Sequence, residues 1–443
     1  MKVWSTRGTP VRGSLEFERL FLGAYGLAHY GKSLIWYSSE LLFAFFLTET
    51  CGLPSRLMGH ALALSLVVSG LADLLVGRVL GPRVRSVTTA ASFQLAGAVA
   101  TGATLLLFSV TGFMLPVVRF SFALLTGLTF RVAYALYDTP QNAMLSLAST
   151  EERSRTRLSS IRFVFSGLAT LSIAAVAVPL LNGDAKNHTA NFTLFSGGLL
   201  AMGIVSSVLV LAISRSRREL GRESEPAPPD FCTDEKAFAA GGLTLILAIG
   251  FVVSAATLVF TKLEPYFVAY VLQSQFARGS VMISIAVGGI AGQPLWAWLA
   301  TRWSLPPAFR ISALVMTLGA TAFLGLGGQG VGAAALAGFV YGVGSNGLGM
   351  LIWVALANFA APHGSGGRAH STTMVFGLFT FVLKSGSAVA VEFVAEVLAG
   401  IDTAAATSWS LVGPMGVMPL LGGLICLFAA SYLPDARESG SAA

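Results

Sequence analysis

Ionisable side chains interrupt the apolar sequence between residues 131 and 162. Asp138 lies seven residues after Arg131, and at 3.6 residues per turn this spacing places both on one helix face, two turns apart. Arg162 lies in the next apolar segment. Such groups usually face a cavity or a partner. The pattern therefore predicts either a site for a polar solute lined by Asp138, or an ion pair in which Asp138 and an arginine join two helices.

A second polar stripe lies earlier in the chain. His29, Ser33, Trp36 and Glu40 follow each other at steps of three or four residues, so they share one helix face. A stripe of this kind lines a pathway or bonds to a neighbouring helix. An aromatic ring beside carboxylates suits a sugar or polyol, because the carboxylates accept hydrogen bonds from its hydroxyl groups. Both interpretations stay open.

These residues lie in a chain with the composition of a membrane protein. Of 443 residues, 54% are hydrophobic and 11% charged, whereas about 25% are charged in an ordinary soluble domain. About 20 apolar residues cross a bilayer as a helix, and strands of a barrel would alternate instead. The sequence predicts an all-α polytopic membrane protein with twelve transmembrane helices. They are centred in 22–48, 57–77, 87–110, 115–142, 159–181, 194–213, 240–261, 280–300, 309–326, 331–359, 371–399 and 410–432.

Basic residues concentrate at alternate ends of these blocks, as in MKVWSTRGTPVRG at the start, EERSRTR after block four and SRSRRELGRE after block six. Short basic loops stay cytoplasmic, so we predict that both termini are cytoplasmic and that the protein lies in the cell (inner) membrane. The net charge of +7 reflects this bias and predicts no nucleic-acid partner. No cleavable signal peptide is expected, because the first apolar block is long and begins late.

The chain divides near its middle. The polar segment SRSRRELGRESEPAPPDFCTDEK separates six blocks from six others. We predict an N-terminal six-helix bundle over 1–213, a cytoplasmic linker over 214–235 and a C-terminal six-helix bundle over 236–443. Two such halves around a site at the middle of the membrane are typical of secondary transporters.

The second half contains further charges near the predicted outer side. Lys262 and Glu264 precede Pro265, which tends to kink a helix, but we expect both charged side chains to reach the outer interface. Glu392 and Glu396 lie one turn apart, and like charges at that spacing repel. At least one of them is therefore expected to be protonated or to face the outer side.

The cysteines and two asparagine triplets are the candidates for covalent modification. Cys51, Cys232 and Cys426 are expected in an outer loop, a cytoplasmic loop and a late helix, so we predict no disulfide bond. The predicted outer loop between blocks five and six holds the triplets NHT and NFT, at Asn187 and Asn191. They match the N-glycosylation pattern, but such triplets also occur by chance.

Three stretches resemble the melibiose permease family, the glycoside, pentoside and hexuronide cation symporters of the major facilitator superfamily. They are YGLAHYGKSLIWYSSELLFAFFLTETCGLPSRLMG, YDTPQNAMLSLASTEERSRTRLSSIRFVFSGLA and GGRAHSTTMVFGLFTFVLKSGSAVA. The resemblance implies the major facilitator fold and transport by alternating access. Relatives carry sugars and, in animals, lysophospholipids, so the resemblance leaves the substrate open.

The resemblance also implies roles for single residues. Asp138 and Arg162 match the aspartate and the arginine that contact the sugar, and Lys384 matches the lysine of helix eleven. Asp73 matches the second of two aspartates in the cation site. We predict a substrate site that includes Asp138, Arg162, Lys384, Trp36, Ser33, Asn142, Thr380 and Arg131.

The chain departs from the family at the cation site. Ser69 stands at the position of the first aspartate, and Ala135 stands at the position of a threonine ligand. A single carboxylate in a partly desolvated site favours its protonated form. We therefore predict proton coupling, or no coupling, over sodium coupling. The predicted carrier is Asp73 with Ser69 beside it, and Glu40 or Glu392 is held in reserve.

The chain also departs from the family at the sugar site. Ser33 stands where the family has a sugar-binding aspartate, and Asn142 stands where it has a tryptophan. A galactoside site of the family type is therefore in doubt. Together with the cations Arg131, Arg162 and Lys384, these changes favour a lysophospholipid or an organic anion as the alternative substrate.

The predicted class is a transporter and not an enzyme. The loops contain no glycine-rich phosphate loop, no metal-ligand spacing and no nucleophile elbow. We predict a secondary active transporter that moves a sugar-like or other small organic solute together with a cation, with no cofactor, as a monomer in the lipid bilayer. The alternative from another class is a membrane accessory protein that does not transport.

Overall fold

The computed structural model describes residues 12–47, 52, 55–149, 151–181, 185–219, 241–272, 280–360, 372–399 and 408–433. These residues form twelve long helices and confirm the all-α fold. The first half contains α1 (Arg12–Phe45), α2 (Ser55–Leu80), α3 (Val87–Ser109), α4 (Pro116–Leu147), α5 (Glu152–Leu181) and α6 (Ala185–Glu219). The second half contains α7 (Gly241–Phe267), α8 (Ser280–Trp303), α9 (Leu305–Leu326), α10 (Val331–Phe359), α11 (Thr372–Ala399) and α12 (Ser408–Ala429).

Ten of these helices are long and apolar enough to cross a membrane. The other two, α1 and α5, have 34 and 30 residues and are therefore also long enough. Their hydropathy is lower because they carry polar residues that are buried in the protein, such as Lys32 on α1 and Arg162 on α5. That these two helices also cross the membrane stays a prediction, and both contribute residues to the candidate site.

The two halves of the molecule pack by the same plan. In the first half α1 contacts α5 and α6, α3 contacts α4 and α6, and α2 contacts α4. The helices six places later repeat these contacts, because α7 packs on α11 and α12, α9 on α10 and α12, and α8 on α10. This repetition describes two six-helix units of one topology, as in transporters built from two related halves.

The helix pairs that join the two units are also related by a shift of six in helix number. Contacts join α2 to α11 and α5 to α8, and further contacts join α4 to α11 and α5 to α10. The backbones of α2 and α11 approach closely, because a Cβ atom at Gly377 would lie 2.5 Å from the carbonyl oxygen of Asp73. Small residues allow such an approach between membrane helices. It brings the α11 side chains within reach of Asp73.

The contacts also show which helix ends lie on the same face of the molecule. Lys32 on α1 meets Asp138 on α4, whereas Glu40, farther along α1, meets the earlier residue Arg131 of α4. The two helices are therefore antiparallel. We call the face where α1 begins and α4 ends the terminal face, and the other the opposite face. That the terminal face is cytoplasmic stays a prediction from the basic residues.

The start of α6 corrects one expectation. Asn187 and Asn191 lie in the first two turns of α6, which begins at Ala185, so the prediction that these triplets lie in a loop is wrong. The reason is that the segment from Ala185 to Phe195 contains neither glycine nor proline and can therefore stay helical. At its other end α6 continues to Glu219, beyond the predicted end of the bundle at 213.

The cysteines can be compared with the prediction only in part. Cys426 is buried in α12 as a thiol without a disulfide partner. Cys51 and Cys232 lie outside the described residues. The bundle boundary at 236 also falls outside them, and the first helix described after it begins at Gly241.

Candidate functional site

The first charged group of the site lies between α1 and α4. Lys32 Nζ donates to Asp138 Oδ1 at 2.5 Å and to Asn142 Oδ1 at 3.1 Å. Asn142 Nδ2 donates in turn to Asp138 Oδ2 at 2.9 Å. Asp138 and Asn142 are one turn apart on α4, so both reach the same lysine. All three side chains are buried, and both carboxylate oxygens are occupied.

Lys32 is a site residue that the sequence pattern did not single out. Its signal was present, because Lys32 follows His29 by three residues and precedes Trp36 by four, on the predicted polar stripe. The ion pair of Asp138 therefore joins α1 to α4 through a lysine. The alternative of a pair with an arginine is not what the structure shows.

The second charged group joins the two bundles. Lys384 Nζ on α11 donates to Asp73 Oδ2 at 2.6 Å and to Ser69 Oγ at 2.7 Å, both on α2. Asp73 and Ser69 are fully buried. The Lys384 ammonium thus lies between the carboxylate and the hydroxyl that were predicted to hold the coupling cation. Lys384 thus lies beside the predicted coupling residues, and its contact with substrate stays a prediction.

Thr380 lies one turn before Lys384 on the same helix. Its hydroxyl donates to the backbone oxygen of Phe376 at 3.0 Å, within α11. Glu392 and Glu396 lie two to three turns beyond Lys384 and are exposed. Within the part of the chain that the structure describes, both glutamates thus lie two to three turns from the residue that pairs with Asp73, and a role of Glu392 as a carrier stays a prediction.

The third charged group lies nearer the opposite face. The Glu40 carboxylate accepts a hydrogen bond from Arg131 on α4 at 3.0 Å and one from Lys262 on α7 at 3.3 Å. Arg131 also donates to Ser39 and Ser65, each at 3.3 Å. These contacts of Arg131 therefore lie within the first bundle, whereas Glu40 connects that bundle to the second.

The two charges before Pro265 do not behave as expected. Lys262 reaches inward to Glu40, and Glu264 is buried and accepts a hydrogen bond from the backbone N–H of Met282 at 3.2 Å. The prediction that both reach the outer interface is wrong. The physical reason is that each has a partner on another element, which replaces the water it would otherwise need.

Trp36 lies between the second and third groups. The centre of its ring is 5.2 Å from Lys384 Nζ and 5.0 Å from Arg131 Cζ. The Tyr134 ring is beside it, with centroids 5.1 Å apart. Cations at this distance from an aromatic face are attracted to it. Trp36 therefore holds cations from both bundles.

Ser33 and His29 connect α1 to α5. His29 Nε2 is 3.1 Å from Ser166 Oγ, and Ser33 Oγ is 3.4 Å from the same hydroxyl. Both side chains are buried. This part of the predicted stripe bonds to a neighbouring helix, while Lys32, Trp36 and Glu40 approach other charged groups.

Arg162 differs from the other cations of the site. Its Cζ lies 3.5 Å from the centre of the Trp353 ring on α10, across the interface between the bundles. Within the described part of the chain no carboxylate lies at ion-pair distance from it. Its buried Nη1 has no hydrogen-bond partner there either. Trp353 itself is held by Phe376, with ring centroids 5.8 Å apart.

Hydrogen bonds close the terminal face below these groups. Ser146 on α4 donates to the backbone oxygen of Ala357 on α10 at 2.9 Å. Arg155 on α5 donates to Asn358 on α10 at 2.7 Å, and Asn358 donates to Glu152 at 3.1 Å. The ends of three helices from both bundles are thereby joined.

The arrangement suits binding by charge and hydrogen bonds. Among the described residues no three side chains of His, Cys, Asp or Glu gather as metal ligands. The cations of the site are its own lysines and arginines. Aromatic rings, carboxylates and cations at the interface of two bundles form the kind of site that rocking bundles expose to each side in turn.

The fold and the family match together define an integral membrane transporter of the major facilitator superfamily. The chain belongs to the MFS/sugar transport protein family, whose sequence profile matches residues 24–432. Asp73, Asp138, Arg162 and Lys384 all lie inside the matched range.

Two relatives from Escherichia coli (strain K12) are similar over most of their length. The chain is 23% identical over 419 residues to YagG, which is named as a glycoside/cation symporter, with 91% of this chain and 87% of that protein covered. It is 24% identical over 379 residues to a glucuronide carrier protein homolog, with 82% and 80% covered. The chain is thus similar to secondary transporters along nearly its whole length.

Solved structures agree in fold. A bacterial homologue of the iron transporter ferroportin, in an outward-facing state with soaked iron, has a TM-score of 0.68 at 13% identity, covering 94% of this chain and 99% of that one. The proton:xylose symporter XylE, bound to 6-bromo-6-deoxy-D-glucose, has a TM-score of 0.63 at 16% identity, covering 96% and 97%. At these identities the likeness concerns the fold alone.

Proposed function

We propose that this protein moves a sugar-like or other small organic solute across the membrane by alternating access, coupled to protons rather than to sodium ions. The observation that carries the proposal is the ion pair between Lys384 and Asp73, which joins α11 to α2 across the interface between the bundles. The names of the two Escherichia coli relatives, a glycoside/cation symporter and a glucuronide carrier homolog, support the substrate class.

The central groups offer what a sugar ring requires. Lys32 and Asn142 supply donors, and the Asp138 carboxylate supplies acceptors at the same place. The rings of Trp36 and Tyr134 lie near these groups and offer apolar faces to the CH groups of a sugar. A neutral hydroxyl can exchange hydrogen bonds with a paired lysine and aspartate without leaving either charge alone.

The contacts of Asp73 favour a proton over a sodium ion. The Asp73 carboxylate is already paired with the Lys384 ammonium, which also donates a hydrogen bond to Ser69 Oγ. A sodium ion would need several oxygen ligands there, and the Lys384 ammonium already contacts Asp73 Oδ2 and Ser69 Oγ. A proton binds the carboxylate itself and needs no further ligands.

Protonation also explains how coupling would produce movement. When Asp73 takes up a proton, its attraction to Lys384 changes from that of an ion pair to that of a neutral hydrogen bond. The link between α2 and α11 is thereby weakened at the centre of the interface, which permits the bundles to rock. Release of the proton restores the ion pair and closes the same link.

Uptake into proteoliposomes tests the coupling. Purified protein would be reconstituted and assayed with p-nitrophenyl β-D-glucoside and p-nitrophenyl β-D-glucuronide under imposed proton or sodium gradients. We expect stimulation by an inward proton gradient, no stimulation by sodium at fixed pH, and loss of the proton effect in Asp73→Asn. Strong sodium stimulation that Asp73→Asn abolishes would show that the residue is right and the ion is wrong.

A lysophospholipid is the second substrate class. It is favoured by an apolar cavity in the first bundle, whose lining includes Phe43, Leu62, Phe108, Leu128 and the single charged residue Arg131. The cavity lies within one bundle and not between the two, where alternating access would expose a substrate. Counterflow of lysophosphatidylcholine without counterflow of either glycoside would favour this class.

A further inference from the structure

The Lys384 side chain reaches from the second bundle into a pocket of the first. Its Nζ lies 5.2 Å from the centre of the Trp36 ring on α1 and 5.8 Å from the centre of the Tyr134 ring on α4. Its hydrogen-bond partners Asp73 and Ser69 both lie on α2. Three helices of the first bundle therefore surround one cation of the second. We call these four first-bundle side chains the Lys384 pocket.

The two rings of the Lys384 pocket are fixed by packing within the first bundle. The centroids of Trp36 and Tyr134 are 5.1 Å apart. The Tyr134 ring also packs against Phe130 and Tyr137, with its centroid 6.2 Å from each of theirs. The face of an aromatic ring attracts a cation within about 6 Å of its centre. The pocket thus offers the ammonium an aromatic surface as well as a carboxylate and a hydroxyl.

The carboxylate and the rings differ in how they respond to a proton. When Asp73 takes up a proton, its carboxyl loses its charge and its attraction to Lys384 falls. A buried ammonium without a counter-charge is costly. The attraction of the rings does not depend on ionisation, and cation–π contacts are strongest where water is excluded. The rings therefore stabilise the ammonium most when Asp73 is protonated, and in this way they favour proton uptake.

The other charged side chains around Asp73 are unsuited to this task. Two of them, on α1 and α4, lie within electrostatic range of Asp73 and form an ion pair with each other. Others lie around the third charged group, where one carboxylate accepts from two cations, or are exposed farther along α11. In that order, these side chains are Lys32 and Asp138, then Glu40 with Arg131 and Lys262, then Glu392.

We propose that Trp36, together with Tyr134, is a positioning residue for the Lys384 ammonium, and that the two rings hold this cation in the first bundle while Asp73 carries a proton. This inference rests on the proposed proton coupling. It gives Trp36 a part in proton uptake that is separate from any contact with the solute. Without the Trp36 ring, Asp73 should take up its proton only at lower pH.

Thermal unfolding in detergent tests the contact without transport. Asp73→Asn imitates the uncharged carboxyl, and Lys384→Met removes the cation. We expect Trp36→Leu to lower Tm most in the Asp73→Asn background, less in the wild-type background and least in the Lys384→Met background. The loss should differ by about 1 to 2 °C between the first and the last, which is the size of one cation–π contact in a chain of this length.

Infrared difference spectroscopy measures proton uptake by Asp73 directly. The C=O band of its protonated carboxyl, assigned by its absence in Asp73→Asn, would be followed over a range of pH. We expect the midpoint to lie about 0.5 to 1 pH unit lower in Trp36→Leu than in the wild type. Trp36→Phe keeps a ring, so it should shift the midpoint less, and it carries the comparison if Trp36→Leu unfolds. Trp298→Leu removes an exposed ring of α8 and should leave the midpoint unchanged.

The outcomes separate the role of Trp36 from proton coupling. An equal loss of Tm in the three backgrounds, or a wild-type midpoint in both Trp36 variants, would overturn the role of Trp36 and leave proton coupling standing. A lower midpoint without stimulation of glycoside uptake by an inward proton gradient would support the role of Trp36 and contradict coupling. Absence of an Asp73 band at every pH that the protein withstands would overturn both.

Discussion

The ion pair between Asp73 and Lys384 permits a quantitative prediction. In Asp73→Asn the buried ammonium of Lys384 loses its counter-charge and keeps only neutral oxygens, those of the Ser69 hydroxyl and the new amide, as close partners. Asp73 has no exposed surface and Lys384 has 7% exposed, so little water can replace the lost carboxylate. Removing one partner of such a pair destabilises a protein by about 3 to 5 kcal/mol.

The expected change in melting temperature follows from the length of the chain. Unfolding entropy is about 2.1 cal/mol/K per residue, so 443 residues give about 0.9 kcal/mol/K. A loss of about 4 kcal/mol then lowers Tm by about 4 °C. Lys384→Met should destabilise similarly, because it leaves the Asp73 carboxylate buried alone. The double variant should recover more than half of the loss, since it leaves no uncompensated charge.

Thermal unfolding of the purified protein in detergent measures these differences. The four members of the cycle would be compared by tryptophan fluorescence at one pH and one heating rate. Glu392→Gln on the same helix is the matched control, because that carboxylate is exposed, and it should leave Tm unchanged. A wild-type Tm in Asp73→Asn, or a double variant that falls by the sum of the two single losses, would refute the reasoning.

Four further predictions concern the other groups of the site. Asp138→Asn removes the carboxylate that Lys32 requires and should abolish uptake of p-nitrophenyl glycosides in proteoliposomes; uptake at wild-type rate would contradict a role at the site. Glu40→Gln breaks the contact between the bundles near the opposite face, so hydrogen–deuterium exchange should rise at the end of α7 and not in α9. Asn358→Ala breaks the contact between α5 and α10 at the terminal face and should raise exchange there, whereas unchanged exchange would show that this contact closes nothing. Cysteines at Asn191 and Arg215 should react from opposite sides with an impermeant thiol reagent, and labelling of both from one side would contradict the topology.

Most of the fold could be predicted because each membrane helix appears in the sequence as a long apolar block. The tenth block, 331–359, coincides with α10, Val331–Phe359, since the sequences GGQG before it and PHGSGG after it interrupt the apolar pattern at both ends. The end of a helix was harder to predict where no glycine or proline interrupts the helical sequence. Nothing between Ala185 and Phe195 stops a helix, so α6 begins earlier than its apolar block.

The partners of the charged residues could not be predicted from the sequence. Lys384 and Asp73 are 311 residues apart, and their contact depends on the close approach of α2 and α11 at Gly377. No local pattern encodes such an approach. Lys32 was visible on the polar stripe of α1, but only the packing of α1 against α4 shows that it neutralises Asp138.

The helices that each charged group joins suggest how solute and proton would act together. Lys32 and Asp138 lie in one bundle, so their ion pair survives when the bundles rock. The pair of Asp73 and Lys384 crosses the interface at α2 and α11, and the stacking of Arg162 on Trp353 crosses it at α5 and α10. Rocking must loosen both crossings. Under our proposal a proton on Asp73 weakens the first crossing, because the ion pair becomes a neutral carboxyl beside a charged ammonium. Lys384 keeps its charge, and Ser69 and the Trp36 ring remain as its neighbours. A solute bound at the Lys32 and Asp138 pair would stay with the first bundle while the crossing of α2 and α11 opens.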